Sequence, residues 1–499
     1  MSTLSLTLGG RGVAASRDRC MEKGGGVLSL KPQWDVGQRR VRVIAAVVLV
    51  AAIAGTVAGC GSSSSSSGSS ASTNSKGQQT VRVAVVSNSN MVDIEKLTPA
   101  FERMYPNIKV VYDTLNENNE RSLIETDITT HANEFNVVMI SNYETPIWAK
   151  NGWLVNLSPR LSANPSYDVS DLLKPIASSL SYNGSLYGVP FYGESSMVYY
   201  RKDLFKAAGL TMPLHPTWTQ IASFAAKLND RSKGIAGICL RGQNGWGENL
   251  AALDTVINTS GGSWFNTKWQ PQLTSSADTA ATNFYVNLVR KYGEPGASND
   301  GFTECETAYG EGKAAMWYDA TVAAGLIATT YPKVSANTGY AFAPTGSPSG
   351  ASGVPSGWLY TWSLSIPQGT PNQAAALKYI EWATGKQYIA YSGPKIGWAN
   401  IDPGTRYSTY ALPQYKKAAG AFAGVTLASI NGATPQHPTN PSVQVPYTGV
   451  QFVDEPWFIN LGTQVSNQIS AAIAGTESVS QALQTSQQAA QTTVQQAGL

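Results

Sequence analysis

The chain has 499 residues, 42% of them hydrophobic and only 13% charged, which is enough for two or more domains with sizeable cores and unlike a coiled coil or a disordered polyelectrolyte. Its formal charge is +3, but the first 59 residues hold eight Lys/Arg and three Asp/Glu, so the remainder carries −2, which argues against nucleic acid as a partner. With only three His, at 131, 215 and 437, and no CxxC or HExxH, a metal centre is not expected, and no resident cofactor is.

In chain order, the first feature is "RRVRVIAAVVLVAAIAGTVAG" (39–59). Three arginines precede an apolar run that ends in small residues, the layout of a secretory signal. The alternative is a single membrane anchor, for which the uncharged run from Val43 to Gly59 is at the short limit. The next residue completes Val57-Ala58-Gly59-Cys60, which resembles the bacterial lipobox, where the Cys is lipidated and becomes the mature N-terminus. Residues 1–59 therefore read as leader, with a later start such as Met21 compatible with the pattern. Residues 60–79 read as lipidated Cys60 followed by a Ser/Gly-rich tether spanning roughly 25 Å. The expected location is the outer face of the cell membrane, lipid-anchored and exported.

The folded part opens with "VRVAVV" (81–86), a helix near 91–105 with Ile94, Leu97, Phe101 and Met104 on one face, "IKVVYDTL" (108–115), a second helical stretch and "FNVVMI" (135–140). Strand–helix alternation of this kind implies a parallel sheet. The strand ends are polar: Asn88 and Asn90, then Asn116, Glu117 and Asn118, then Asn142, Tyr143 and Glu144. Ligands of such sheets sit beyond those ends, although Asn in turns is also ordinary loop chemistry. Next, "PTWTQIASFAAKL" (216–228) predicts a helix with a Thr217/Gln220 capping box. Strand-like segments follow at 236–242, 314–321 and 356–367, then a helix at 372–385. In "WLYTWSLSI", alternation puts Trp358, Tyr360, Trp362 and Leu364 on one face. These rings read as core, or as core with one or two of them reaching a cleft.

Cys239 and Cys305 remain in the mature chain. In an exported protein such a pair reads as a disulfide, with two buried thiols the alternative. No GxSxG, P-loop or GxGxxG occurs. Carboxylates such as Glu194, Glu248, Glu304 or Asp319 could pair as a glycosidase acid and nucleophile, but nothing in the sequence links two of them.

Seven phrases carry a family resemblance: "ETPIWAKNGWL" (144–154), "GVPFYGESSMVYYRKDLFKAAGLTMP" (188–213), "GICLRGQNGWGEN" (237–249), "KYGEPGASNDGF" (291–302), "MWYDATVAAG" (316–325), "PGTRYSTY" (403–410) and "PYTGVQFVDEP" (446–456). Their order and spacing resemble the solute-binding lipoproteins of ABC importers, and among these the sorbitol/mannitol group, over residues 80–490. "SNSNM" (87–91) is only loosely like the family. The resemblance implies an α/β, two-lobed periplasmic-binding-protein-like fold with a ligand cleft between the lobes. The expected lobes are 80–190 with 317–357 and 191–316 with 358–499, with crossings near 188–192, 315–320 and 356–362.

The resemblance implies a monomeric, non-enzymatic receptor that delivers a sugar alcohol or related monosaccharide to the transmembrane subunits of an ABC permease. An oligosaccharide receptor or an extracellular glycan hydrolase are the alternatives. It makes Glu194, Asp319 and Arg241 the polar candidates, with Glu117 behind them. The aromatic candidates are Tyr143, Tyr192, Trp246, Trp264, Trp358, Trp362 and Trp398.

Overall fold

The computed structural model describes residues 73, 76–346, 356–439 and 443–499. The leader, Cys60 and most of the expected tether lie outside the described residues. Among the described residues, no helix is long and apolar enough to cross a membrane.

Three parallel strands start the fold: β1 (Gln79–Val86), β2 (Ile108–Leu115) and β3 (Val137–Ser141), with helices α1 (Ser89–Met104) and α2 (Glu117–Thr130) between them. Val81, Val83, Ala84 and Val85 are all fully buried, because helices cover both faces of the sheet and a strand buried on two sides must be apolar throughout. Ile94 and Phe101 of α1 are in one layer. Ile124 and Ile128 of α2 pack with Ala84, Val138 and Ile140 in the other. The first turns are set by asparagine caps: Asn88 Oδ1 accepts from the Met91 amide at 3.0 Å, and Asn116 Oδ1 from that of Asn119 at 3.0 Å.

Two more strands complete this sheet: β4 (Gly188–Glu194), which runs in the direction of β1–β3, and, much later in the chain, the strand Tyr360–Ser365, which fits between β3 and β4 antiparallel to both. A single residue, Ser195, separates β4 from β5 (Ser196–Arg201), the centre of a second sheet. There β5 is flanked by β6 (Met316–Ala320) and β7 (Thr338–Phe342), both antiparallel to it. The strand 360–365 is β8. The strand-like segment 236–242 meets β6 through isolated bridges at Ala236 and Cys239.

The sheets correct the expected lobe boundaries. Residues 317–320 and β7 pair with β5, so they belong to the second lobe. Residues 191–194 and β8 pair within the first sheet, so they belong to the first lobe. Residues 315–320 lie inside the second sheet and are not a crossing. The chain crosses at Ser195, whose amide donates to Thr321 Oγ1 at 3.1 Å and whose carbonyl accepts from the Thr321 amide at 2.8 Å. It crosses back between β7 and β8.

Helices α3 (Trp218–Leu228), α4 (Asn249–Thr259), α5 (Ser276–Tyr292) and α6 (Phe302–Gly310) build the second lobe. The Thr217/Gln220 capping box is present. The chain returns once more, and α7 (Phe458–Ala474) and α8 (Val479–Ala497) pack on α4 and α5. Cys239 and Cys305 are joined as a disulfide with Cα atoms 5.5 Å apart, tying the segment before Arg241 to α6.

Candidate functional site

A polar cavity of about 440 Å³ lies at the carboxyl ends of β1 and β2, with the second lobe forming its opposite wall. The first lobe contributes Asn88, Asn90, Asn116 and Glu117 from the strand ends, Tyr192 and Glu194 from β4, and Trp358, Tyr360 and Trp362 at β8. The second contributes Arg241, Gln243, Gly247, Glu248, Phe302 and Glu304. The lobes touch at Gly247, where a Cβ would stand 2.5 Å from Glu117 Oε1.

Glu194 is the last residue of β4, 7% exposed. Among the described residues no group donates a hydrogen bond to its carboxylate. Burial pushes its pKa up to about 8; Arg241 pulls it down, and Asp319 and Glu117 push it up. Tyr192, two residues earlier, accepts from Asn88 Nδ2 at 3.0 Å, which links the β1 and β4 walls.

Arg241 is the cation of the cavity and is held from behind. Its Nε and Nη2 donate to the Asp319 carboxylate at 2.9 and 2.5 Å, and Nη1 donates to the Gly247 carbonyl at 2.8 Å. Trp317 Nε1 adds a hydrogen bond to Asp319 at 3.1 Å. Burial opposes the charge on Arg241, and Asp319 more than restores it. A carboxylate bound on both oxygens in a dry site fixes the guanidinium plane. The remaining Nη1 edge also lies 3.5 Å from Glu248, whose pKa burial pushes up to about 7. The aromatic faces of Trp358 and Phe302 lie 6.0 and 5.2 Å from the Arg241 Cζ. Trp358 Nε1 and Gln451 Oε1 are buried polar atoms of lining residues with no partner among the described residues. The surface thus combines ring faces, acceptors and donors, which suits a small ligand with C–H faces and several hydroxyls.

Glu194, Arg241, Tyr192, Glu117, Trp358 and Trp362 are brought together as lining residues. Trp358, Tyr360 and Trp362 are buried and also form a wall, so the core and cleft readings of that face were not exclusive. The other candidates lie elsewhere. Asp319 is fully buried behind Arg241 and does not line the cavity. Tyr143 donates to the Glu455 carbonyl at 2.8 Å and packs on Trp246 and Phe452. Trp246 stacks over Arg121. Trp264 is core of the second lobe, donating from Nε1 to Asp254 at 3.1 Å and packing on Phe458. Trp398 packs on Gly393, away from the cavity. Sequence reasoning missed Gln243, Phe302 and Gln451 as site residues. Phe302 sits three residues before Cys305, and its amide donates to Glu248 at 3.3 Å.

Two α/β lobes facing each other across a polar cavity at the strand ends are the architecture of a hinged ligand receptor. The family model for bacterial extracellular solute-binding proteins matches residues 88–390, and the chain belongs to that family. It is 41% identical over 426 residues to the mannitol-binding protein of Pseudomonas aeruginosa, covering 85% of this chain and 95% of that protein. The crystal structure of an ABC transporter solute-binding protein from Agrobacterium vitis with bound D-mannitol aligns with a TM-score of 0.81 at 46% identity, over 84% of this chain and 99% of the other. A solute-binding protein from Agrobacterium radiobacter in complex with ribitol shares the fold, with a TM-score of 0.72 at 21% identity over 82% and 98% of the two chains.

Proposed function

We propose that the protein is the receptor of an ABC importer for a linear sugar alcohol, with D-mannitol the first candidate and sorbitol or arabitol as relatives. The observation that carries this is the Glu194 carboxylate: it is buried at the edge of the cavity, no donor among the described residues reaches it, and the same cavity holds a guanidinium already oriented by Asp319. A polyol hydroxyl supplies the missing donor, and Trp358, Tyr360 and Trp362 cover the C–H faces. The cavity lies near the lower end of the roughly 300–1,000 Å³ usual for small-molecule sites, which favours a single small ligand over an oligosaccharide. The mannitol-binding relatives support the same chemistry.

In this reading the protein binds without turnover, acts as a monomer, hands its ligand to transmembrane permease subunits and is held to the membrane by a lipid on Cys60. A thermal-shift and calorimetric screen over D-mannitol, D-sorbitol, D-arabitol, ribitol, D-glucose and maltose tests it. A ligand at 100 times its dissociation constant stabilises by about 2.7 kcal/mol. A response to maltose alone, or conversion of any of these compounds, overturns the reading.

A further inference from the structure

One guanidinium outside the cavity holds three of the side chains that line it. Arg121, on α2, is 8% exposed and is not a lining residue. Its Nε and Nη2 donate to Glu117 Oε1 at 3.2 and 2.9 Å. Nη2 also donates to the Tyr360 hydroxyl, and Nη1 to Glu144. Glu144 is itself fixed by the Ser141 amide at 2.9 Å. The Trp362 ring centre lies 4.7 Å from the Arg121 Cζ. Glu117, Tyr360 and Trp362 all face the cavity.

A second ring, Trp246, lies 4.4 Å from the same carbon. It comes from the other lobe, anchored on α7 against Phe458 and Gly462. The neighbouring Gly247 is where Glu117 meets that lobe. One side chain therefore touches both the ligand wall of the first lobe and the closing surface of the second.

We infer that Arg121 is the positioning residue that couples lobe closure to the shape of the ligand site. When Trp246 docks on the guanidinium, the Arg121 plane is fixed, and with it the orientation of Glu117, Tyr360 and Trp362. The same stack holds the cleft shut over the ligand. Arginine suits the position because its planar fork bonds several acceptors while its face stacks on rings; lysine's compact ammonium lacks the plane needed to keep both sets of contacts at once.

The inference rests on the polyol reading and is tested by stopped-flow kinetics with D-mannitol on wild type, Arg121→Lys, Trp246→Leu and the double variant. Each single change is expected to raise the dissociation rate at least tenfold and to change the association rate less than threefold. The double variant is expected to dissociate no faster than the worse single, since both remove one stack. An unchanged dissociation rate in Trp246→Leu, or effects that multiply in the double variant, overturns the inference. If Arg121→Lys does not fold, Trp246→Leu against Trp246→Phe decides: the ring of Phe restores slow dissociation if the stack matters, and equal rates for the two overturn it. A wild type that binds no D-mannitol overturns the polyol reading itself, a result seen before any variant is compared.

Discussion

Glu194→Gln removes one charge from the cavity and keeps the shape and one acceptor of the side chain. Losing hydrogen bonds to a charged group costs about 1.5–3 kcal/mol, or roughly ten- to hundredfold in affinity. That cost is not constant with pH. With its pKa at about 8 the wild-type group is mostly protonated at pH 7 without ligand, and ionising it there costs about 1.4 kcal/mol per unit of pH below the pKa. The variant should therefore be weaker by about 0–1.6 kcal/mol at pH 7, at most about fifteenfold, and by the full ten- to hundredfold at pH 9. Calorimetric titration with D-mannitol at pH 6, 7, 8 and 9, in buffers of different ionisation enthalpy, reads both affinity and protons released. Wild type should bind more tightly as pH rises to about 8 and release roughly 0.5–0.9 proton at pH 7; the variant should lose that component. Glu248, raised to about 7, titrates nearby, so the difference between the two proteins is the measurement. Wild-type affinity that falls with pH would mean that Glu194 binds as a neutral donor. Equal affinity at every pH with a lowered melting temperature would mean that it only braces the fold.

The same group sets how stability depends on pH. Glu194 and Asp402 are both buried and raised to about 8, from 4.5 and 3.8; the folded protein keeps protons that the unfolded chain releases, so stability declines as pH rises from about 4 to about 8. Unliganded melting temperature should fall across that window and fall less in Glu194→Gln; a rising profile would contradict the burial argument. Asp319→Asn leaves the Arg241 guanidinium buried without its carboxylate and should destabilise the unliganded protein by about 3–5 kcal/mol in denaturant titration, as well as weaken D-mannitol binding; unchanged stability would show that Arg241 is held by other groups. Gly247→Ala puts a methyl 2.5 Å from Glu117 Oε1, so closure should be obstructed and D-mannitol affinity should drop at least tenfold with little change in unliganded melting temperature. Mass spectrometry of the membrane-extracted protein should find a lipid on an N-terminal Cys60; an unmodified Cys60 inside a longer chain rules the anchor out.

The first half of the first lobe was legible because its signals are local. Val81, Val83 and Val85, the face Ile94–Leu97–Phe101 and the asparagines after the first two strands predict β1, α1 and the helix starts; the polar ends of β1 and β2 do reach the cavity, whereas Asn142, Tyr143 and Glu144 after β3 do not line it. Asn88 and Asn116 turn out to cap helices and to line the site at once, so turn chemistry and function shared the same residues. The position of β8 was not legible, because Tyr360–Ser365 pairs with β3 and β4 only after the chain has built most of the other lobe. Nor could residue type separate Trp358, which lines the cavity, from Trp264, which is core: both are buried rings. Arg121 left one trace, a Glu117–Arg121 pair at helical spacing, but its partners Tyr360, Trp362 and Trp246 are distant in sequence. Asp319 and Arg241 were both named from the sequence, and only the structure shows that Arg241 lines the cavity while Asp319 lies behind it.

The disulfide has a consequence for where the receptor can mature. Arg241 lies two residues beyond Cys239, and Phe302 to Glu304 lie just before Cys305, so the bond staples the two walls that the second lobe presents to the cavity. That half of the site is assembled covalently once the chain meets an oxidising compartment, and the ordering entropy of those walls is settled at secretion instead of being charged to each encounter with ligand. Export is then a maturation step as well as a change of address. A chain kept in a reducing compartment keeps these walls unlinked.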